Sequence, residues 1–117
     1  MAKILIVENN QGVLSQLEQY LTDRGHTVES EVDWRAGISL LKSTPDVNAV
    51  LIQFGYPAIQ FHKNLPFGYE NVTTIVYSSL STEDVSLSMH NAGAREATRI
   101  VPYATVDGLI EAVEKYI

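Results

Sequence analysis

Short apolar runs recur along the chain at nearly even intervals: Ile4 to Val7, Thr27 to Val32, Ala49 to Ile52, Thr73 to Val76, and Thr98 to Val101. Each reads as a strand. Between them apolar residues fall at helical spacing, first in Leu14, Leu17 and Leu21 and last in Leu109, Ile110, Val113 and Ile117. Strand and helix therefore alternate, which predicts right-handed βαβ units, a parallel sheet and helices on both of its faces.

Boundaries follow from the punctuating residues. Gly25 can cap the first helix after Arg24, Pro45 stops the second, and Gly93 sits where the fourth should end. Ser81-Thr82-Glu83-Asp84 supplies a capped start for that fourth helix. From Phe54 to Asn71 the residues Gly55, Pro57, Pro66 and Gly68 interrupt any long helix, so the third helix is expected to be short or irregular. With no internal repeat, low-complexity tract or linker, residues 1–117 read as one domain.

In the second strand Glu29, Glu31 and Asp33 share one parity while Val28 and Val32 share the other, so one side is a row of carboxylates. A docking strip for a basic partner would look like this. So would an edge strand on which like charges block unwanted pairing, and this is the reading we adopt.

Composition narrows the function classes. Hydrophobic residues at 45% against 19% charged belong to a folded chain rather than a disordered one. A formal charge of −6 repels phosphate backbones and anionic membrane surfaces, so neither nucleic acid nor membrane is expected as a partner. The absence of cysteine removes disulfides, thiolate metal sites and a cysteine nucleophile. Met1 to Val7 lacks the features of a signal peptide and no apolar run approaches the ~20 residues that span a bilayer, so a cytoplasmic location is expected.

Ligands of open parallel sheets collect beyond the carboxyl ends of the strands. Those ends read Val7-Glu8-Asn9-Asn10, Ile52-Gln53-Phe54-Gly55-Tyr56-Pro57, Val76-Tyr77-Ser78-Ser79 and Ile100-Val101-Pro102-Tyr103. Together with KILIVENN at the start, PDVNAVLIQFGYP at the third strand, IVYSS at the fourth, NAGA after the fourth helix and VPY after the fifth strand, they resemble the receiver domain of bacterial response regulators. The resemblance covers nearly the whole chain. It implies an α/β fold of the flavodoxin-like and CheY-like type, doubly wound, with a five-stranded parallel sheet in the order 2-1-3-4-5.

The resemblance also implies a chemistry that these residues do not support. In the family a histidine kinase passes a phosphoryl group to an aspartate four residues before the proline of the third strand's loop, and that position is Gln53. A carboxamide is too poor a nucleophile to form an acyl phosphate. The two acids that hold magnesium after the first strand correspond to Glu8 and Asn9, which leaves one acid of three, so weak or no magnesium binding is expected and no cofactor. The family lysine before the last proline corresponds to Val101, or to Ile100 when counted from Gly93. An ammonium facing amides would be an unpaired buried charge, so its loss agrees with the loss of the carboxylates. Ser78 matches the family's hydroxyl residue and is expected to bond a nearby amide or backbone group instead. The switch aromatic corresponds to Ala97 or Thr98, neither of which is aromatic.

Other chemistries lack support. Asn9-Asn10-Gln11-Gly12 is not a flavodoxin-type phosphate loop, GxGxxG and GxxxxGK[ST] are absent, and His26, His62 and His90 lack metal-site spacing. We read each histidine as a surface or packing residue. Five of the nine Phe and Tyr residues, Phe54, Tyr56, Phe61, Phe67 and Tyr69, crowd into the proline-broken stretch beside the pocket. They would cover the sheet where the third helix is irregular, or form an aromatic patch for a partner. The family's ordinary signalling face would here carry Ser88, His90, Arg99, Tyr103, Asp107, Glu111 and Glu114.

The expectation is a pseudo-receiver. It is not an enzyme, accepts no phosphate and binds another signalling protein, with Glu8, Asn9, Gln53, Ser78 and Val101 forming a degenerate pocket. Tyr56, Phe61, Phe67, Tyr69, Arg99 and Tyr103 are the candidate partner contacts. With all 117 residues used by one domain, output is expected from a partner. The alternative is a small-molecule sensor or enzyme using the same pocket.

Overall fold

Alternation of side chains along each strand divides the core into two apolar layers, one on each side of a parallel sheet. The structure, a computed structural model, describes residues 2–69, 72–94 and 98–117. Its strands are β1 (Lys3–Val7), β2 (Thr27–Glu31), β3 (Ala49–Gln53), β4 (Thr73–Ser78) and β5 (Thr98–Pro102). The helices are α1 (Gln11–Asp23), α2 (Trp34–Ser43), α3 (Tyr56–Asn64), α4 (Thr82–Asn91) and α5 (Val106–Glu114). The sheet order is β2-β1-β3-β4-β5, all parallel, as the resemblance implied.

Ile4, Ile6, Leu51, Ile75, Tyr77 and Val101 meet Leu14, Leu17 and Leu21 of α1 and Leu109, Ile110 and Val113 of α5 on one side. On the other, Leu5, Val7, Val50, Ile52 and Val76 meet α2, α3 and α4. Truncating one of these buried aliphatic side chains to alanine typically costs about 2–5 kcal/mol. Helix α2 lies close to β1 because Gly37 has no side chain: a Cβ there would sit 2.8 Å from Cγ2 of Val7.

β2 is an edge strand, and its register sets Glu29 beside Leu5 and Glu31 beside Val7, so both acids share the side of α2. Asp33 accepts the N–H of Arg35 (3.2 Å) and caps α2. After α1, Gly25 takes φ +90° and the N–H of His26 reaches the carbonyl of Leu21 (3.1 Å), closing the helix. Gly93 does the same for α4 at φ +83°, with Ala94 N–H bonded to the Met89 carbonyl at 2.9 Å.

The third helix is short, as expected: nine residues in regular α-helical form, as long as α5. Pro57 falls in its first turn, where a missing N–H costs nothing, and Pro66 and Gly68 lie beyond its end. The breakers flank the helix. His62 therefore sits within α3, buried, and contacts the Ala58 carbonyl through Nδ1 (2.8 Å) and Thr98 Oγ1 through Nε2 (3.3 Å).

Candidate functional site

The expected pocket residues gather at the carboxyl ends of the central strands. Glu8 follows β1 and is only 2% exposed; its N–H donates to the Glu31 carbonyl at 3.1 Å, which extends the β1–β2 ladder by one residue. Gln53 ends β3, is exposed, and pairs in register with Tyr77 of β4. Tyr77 pairs in turn with Val101 of β5.

The chemistry of the site centres on a residue to which sequence reasoning assigned no role. Tyr77 is fully buried, and its hydroxyl donates to Oε1 of Glu8 across the intervening strand β3. The N–H of Asn10 donates to Oε2 of the same carboxylate at 3.1 Å. Burial, and then the hydrogen bond and charge of Glu8 with a smaller contribution from Tyr103, push the Tyr77 phenol far above its ordinary value. It remains a donor. The Tyr77 ring also meets Tyr103 edge to face, with centroids 5.6 Å apart and planes at 88°.

The other pocket residues take less central places. Asn10 caps α1, its Oδ1 accepting the N–H of Val13 at 3.1 Å, and Asn9 is exposed. Ser78 is half-buried and its Oγ accepts the N–H of Leu80 at 3.0 Å. Val101, 2% exposed, belongs to the apolar layer under α1 and α5 together with Tyr77, whereas half-buried Ile100 packs on the opposite side. Either position for the family lysine is apolar, and of the two only Val101 shares the side of Tyr77.

These residues do not fit magnesium. A hard dication that keeps several waters needs accessible anionic oxygens, whereas the one acid here, Glu8, is 2% exposed with a protein donor on each oxygen, and Asn9 and Gln53 are amides. Among the described residues no three His, Asp or Glu side chains gather as a metal site would need.

The candidate partner contacts separate. Phe61 is fully buried within the layer under α2, α3 and α4, which corrects its assignment as a contact: as an inward residue of a regular helix it is core. Tyr69 is half-buried on the same layer. Tyr56 (64% exposed) opens α3, and Phe67 (95% exposed) lies three residues beyond its end at Asn64. Arg99 is exposed, with its guanidinium 5.8 Å from the centre of the Tyr116 ring. Half-buried Tyr103 is committed to Tyr77. Of the two candidates for the switch position, Ala97 lies outside the described residues and Thr98 is held by His62.

The side between α4 and β5 carries His90 and Arg99 of the signalling face that the resemblance implied. A groove of about 630 Å³ is lined by Thr82, Glu83, Ser86, Leu87, His90 and Ile100. Leu87 and nearby Leu80 are 62% and 59% exposed, large for leucines. Leucine at position 87, off the buried Val85 and Met89 stripe of α4, was the available signal.

Comparison of the backbone with solved structures decides the fold family. The chemotaxis response regulator CheY4 of Vibrio cholerae superposes with a TM-score of 0.85 over 100% of this chain and 99% of that one, at 16% identity. The chain has the response-regulator receiver fold. HP1043, an orphan response regulator of H. pylori, matches at TM-score 0.78 and 17% identity, covering 98% of this chain and 95% of its own. An atypical orphan response regulator for which a phosphorylation-independent regulatory mechanism is described matches at TM-score 0.78 and 15% identity, covering 97% and 93%. No protein-family model matches this receiver-fold chain, and no curated protein is similar in sequence.

Proposed function

We propose that residues 1–117 form a pseudo-receiver: a receiver-fold domain of bacterial signal transduction that accepts no phosphoryl group, catalyses no reaction and acts by binding another signalling protein. The observation that carries this reading is the state of the one carboxylate left at the site. Glu8 is buried and spends both oxygens on Tyr77 and Asn10, while the acceptor position holds the carboxamide of Gln53. Neither nucleophile nor magnesium anchor remains. The orphan regulator with a phosphorylation-independent mechanism is a precedent on the same fold. A cytoplasmic location is part of this proposal; no helix among the described residues is long and apolar enough to cross a membrane.

The partner surface we favour is the shallow α4–β5 groove with Leu80 and Leu87, because two large leucines are exposed beside it. The reading of the site as a ligand pocket gains nothing from the geometry, since Glu8 is already satisfied and the Tyr77 ring packs beside Val101.

Partner capture tests the proposal. A protein recovered with the wild-type chain should bind equally with or without acetyl phosphate, and Leu87→Arg should lower its affinity at least tenfold with unchanged melting. Binding that requires acetyl phosphate would overturn the reading. Gln53→Asp alone should gain no phosphate by mass, because the lysine and the second acid are still missing.

A further inference from the structure

Tyr77 carries a hydroxyl into a layer that aliphatic side chains fill elsewhere. Ile75, two residues earlier on the same strand and side, does the packing with no polar atom. A buried phenol must find a partner for its O–H, and this one finds it 69 residues away at the end of β1. Seen from Glu8 the need is greater, because a carboxylate removed from water requires donors or a cation. Both donors come from the protein: the Asn10 N–H on Oε2 and the Tyr77 O–H on Oε1. Asn10 is itself fixed as the cap of α1, so that donor is present whenever the helix is formed. Tyr77 is therefore the partner whose removal would leave Glu8 with an oxygen to offer.

We propose that the Tyr77 hydroxyl stands in for a cation at Glu8, closing the remaining acid of the site against divalent metal ions. The inference rests on the phosphorylation-independent reading above and goes beyond it, since it names the residue that keeps the site closed. A neutral O–H donor satisfies Glu8 without a second charge. Burial and the neighbouring Glu8 keep the proton on the phenol, so it stays a donor.

The closure is tested on the full chain by following the thermal midpoint with magnesium chloride. Wild type should show no change at 20 mM beyond that given by matched ionic strength. Tyr77→Phe keeps the ring and frees Oε1; with a Kd of a few millimolar, its midpoint should rise by roughly 3–8 °C under the same conditions. Glu8→Gln combined with Tyr77→Phe should lose that rise, because the anionic oxygen is gone. Should Tyr77→Phe be unfolded without metal, magnesium should restore its far-UV circular dichroism. An absent response in Tyr77→Phe, an equal response in wild type, or a response that survives in the double variant would each overturn the proposal. Phosphorylation of wild type by acetyl phosphate would instead overturn the functional reading, so the two failures are separable.

Discussion

At each end of the sheet a carboxylate joins elements distant in sequence, and the two sites differ in burial. At the carboxyl end, Glu8 and Tyr77 are 2% and 0% exposed and their bond spans β1 to β4. At the amino end, Glu114 near the close of α5 receives Arg24 and His26 from the α1–β2 connection, with side chains 32%, 38% and 10% exposed. His26 in turn accepts the N–H of Ala2 on Nδ1 at 3.2 Å, so Nε2 carries the proton and donates to Glu114 Oε2 at 3.0 Å. Water can replace partners at the amino end and cannot at the carboxyl end. A buried polar pair is costly to break, whereas a half-exposed ion pair contributes little and is screened by salt. The difference teaches what replaced the implied chemistry: at the end where the resemblance placed it, the molecule has a buried, satisfied internal bond.

The largest expected effect sets the scale for both ends. Phe61→Ala removes a fully buried ring and should cost about 3–5 kcal/mol in urea unfolding, whereas Phe67→Ala, with its ring in water, should stay within about 0.5 kcal/mol. Equal effects would contradict the placement of Phe61 in the core. Next comes Tyr77→Phe without magnesium, which leaves a buried carboxylate short of a donor and should cost about 1–3 kcal/mol. Replacing both partners by apolar residues, Glu8→Leu with Tyr77→Phe, should recover much of that loss. A double variant no more stable than the sum of its single changes would show that the two residues are not coupled.

The amino end should respond more weakly. Glu114→Gln should cost at most about 1 kcal/mol at low salt and less at 1 M salt, which would separate it from the salt-insensitive Tyr77 effect. The smallest effect is its pH dependence. Hydrogen bonds from His26 and then Arg24 hold the Glu114 carboxyl below its ordinary value of 4.5. Its folded value is thus depressed, so the stabilisation is fully present above the unfolded value and is lost as pH falls through the folded one. The stability gap between wild type and Glu114→Gln should be constant above about pH 6 and shrink below about pH 4.5. A gap that widens on acidification would contradict the ion-pair geometry.

Much of this was legible in the sequence, for reasons that can be named. Strands buried on both faces write themselves as continuous apolar runs, and Gly25 and Gly93 mark helix ends because positive φ favours glycine. Whether α3 would be short or irregular stayed open because Pro57 was taken as an interruption, although proline suits a first helical turn. For the same reason Phe61 stayed open between covering the sheet and contacting a partner. Ala58, Phe61, His62 and Leu65 already fall at the spacing of one buried helix face. Gln53 could be placed by its fixed distance from Pro57, whereas the lysine position stayed open between Val101 and Ile100 because counts from Pro102 and from Gly93 differ. Tyr77 could not, since its partner is set by the order of strands and by reach across β3, which one-dimensional spacing does not encode. The available hint was a tyrosine at an inward position of a central strand, whose hydroxyl must be bonded somewhere.

The central claim is that this receiver fold has no phosphoryl chemistry left, and an amide-resolved NMR titration of the wild-type chain with magnesium and beryllofluoride tests it most directly. The account predicts unchanged resonances at Glu8, Asn9, Asn10, Gln53 and Ser78 up to millimolar reagent, and an intact mass unaltered by acetyl phosphate. Saturable shifts at those residues, or the gain of one phosphate in mass, would contradict it.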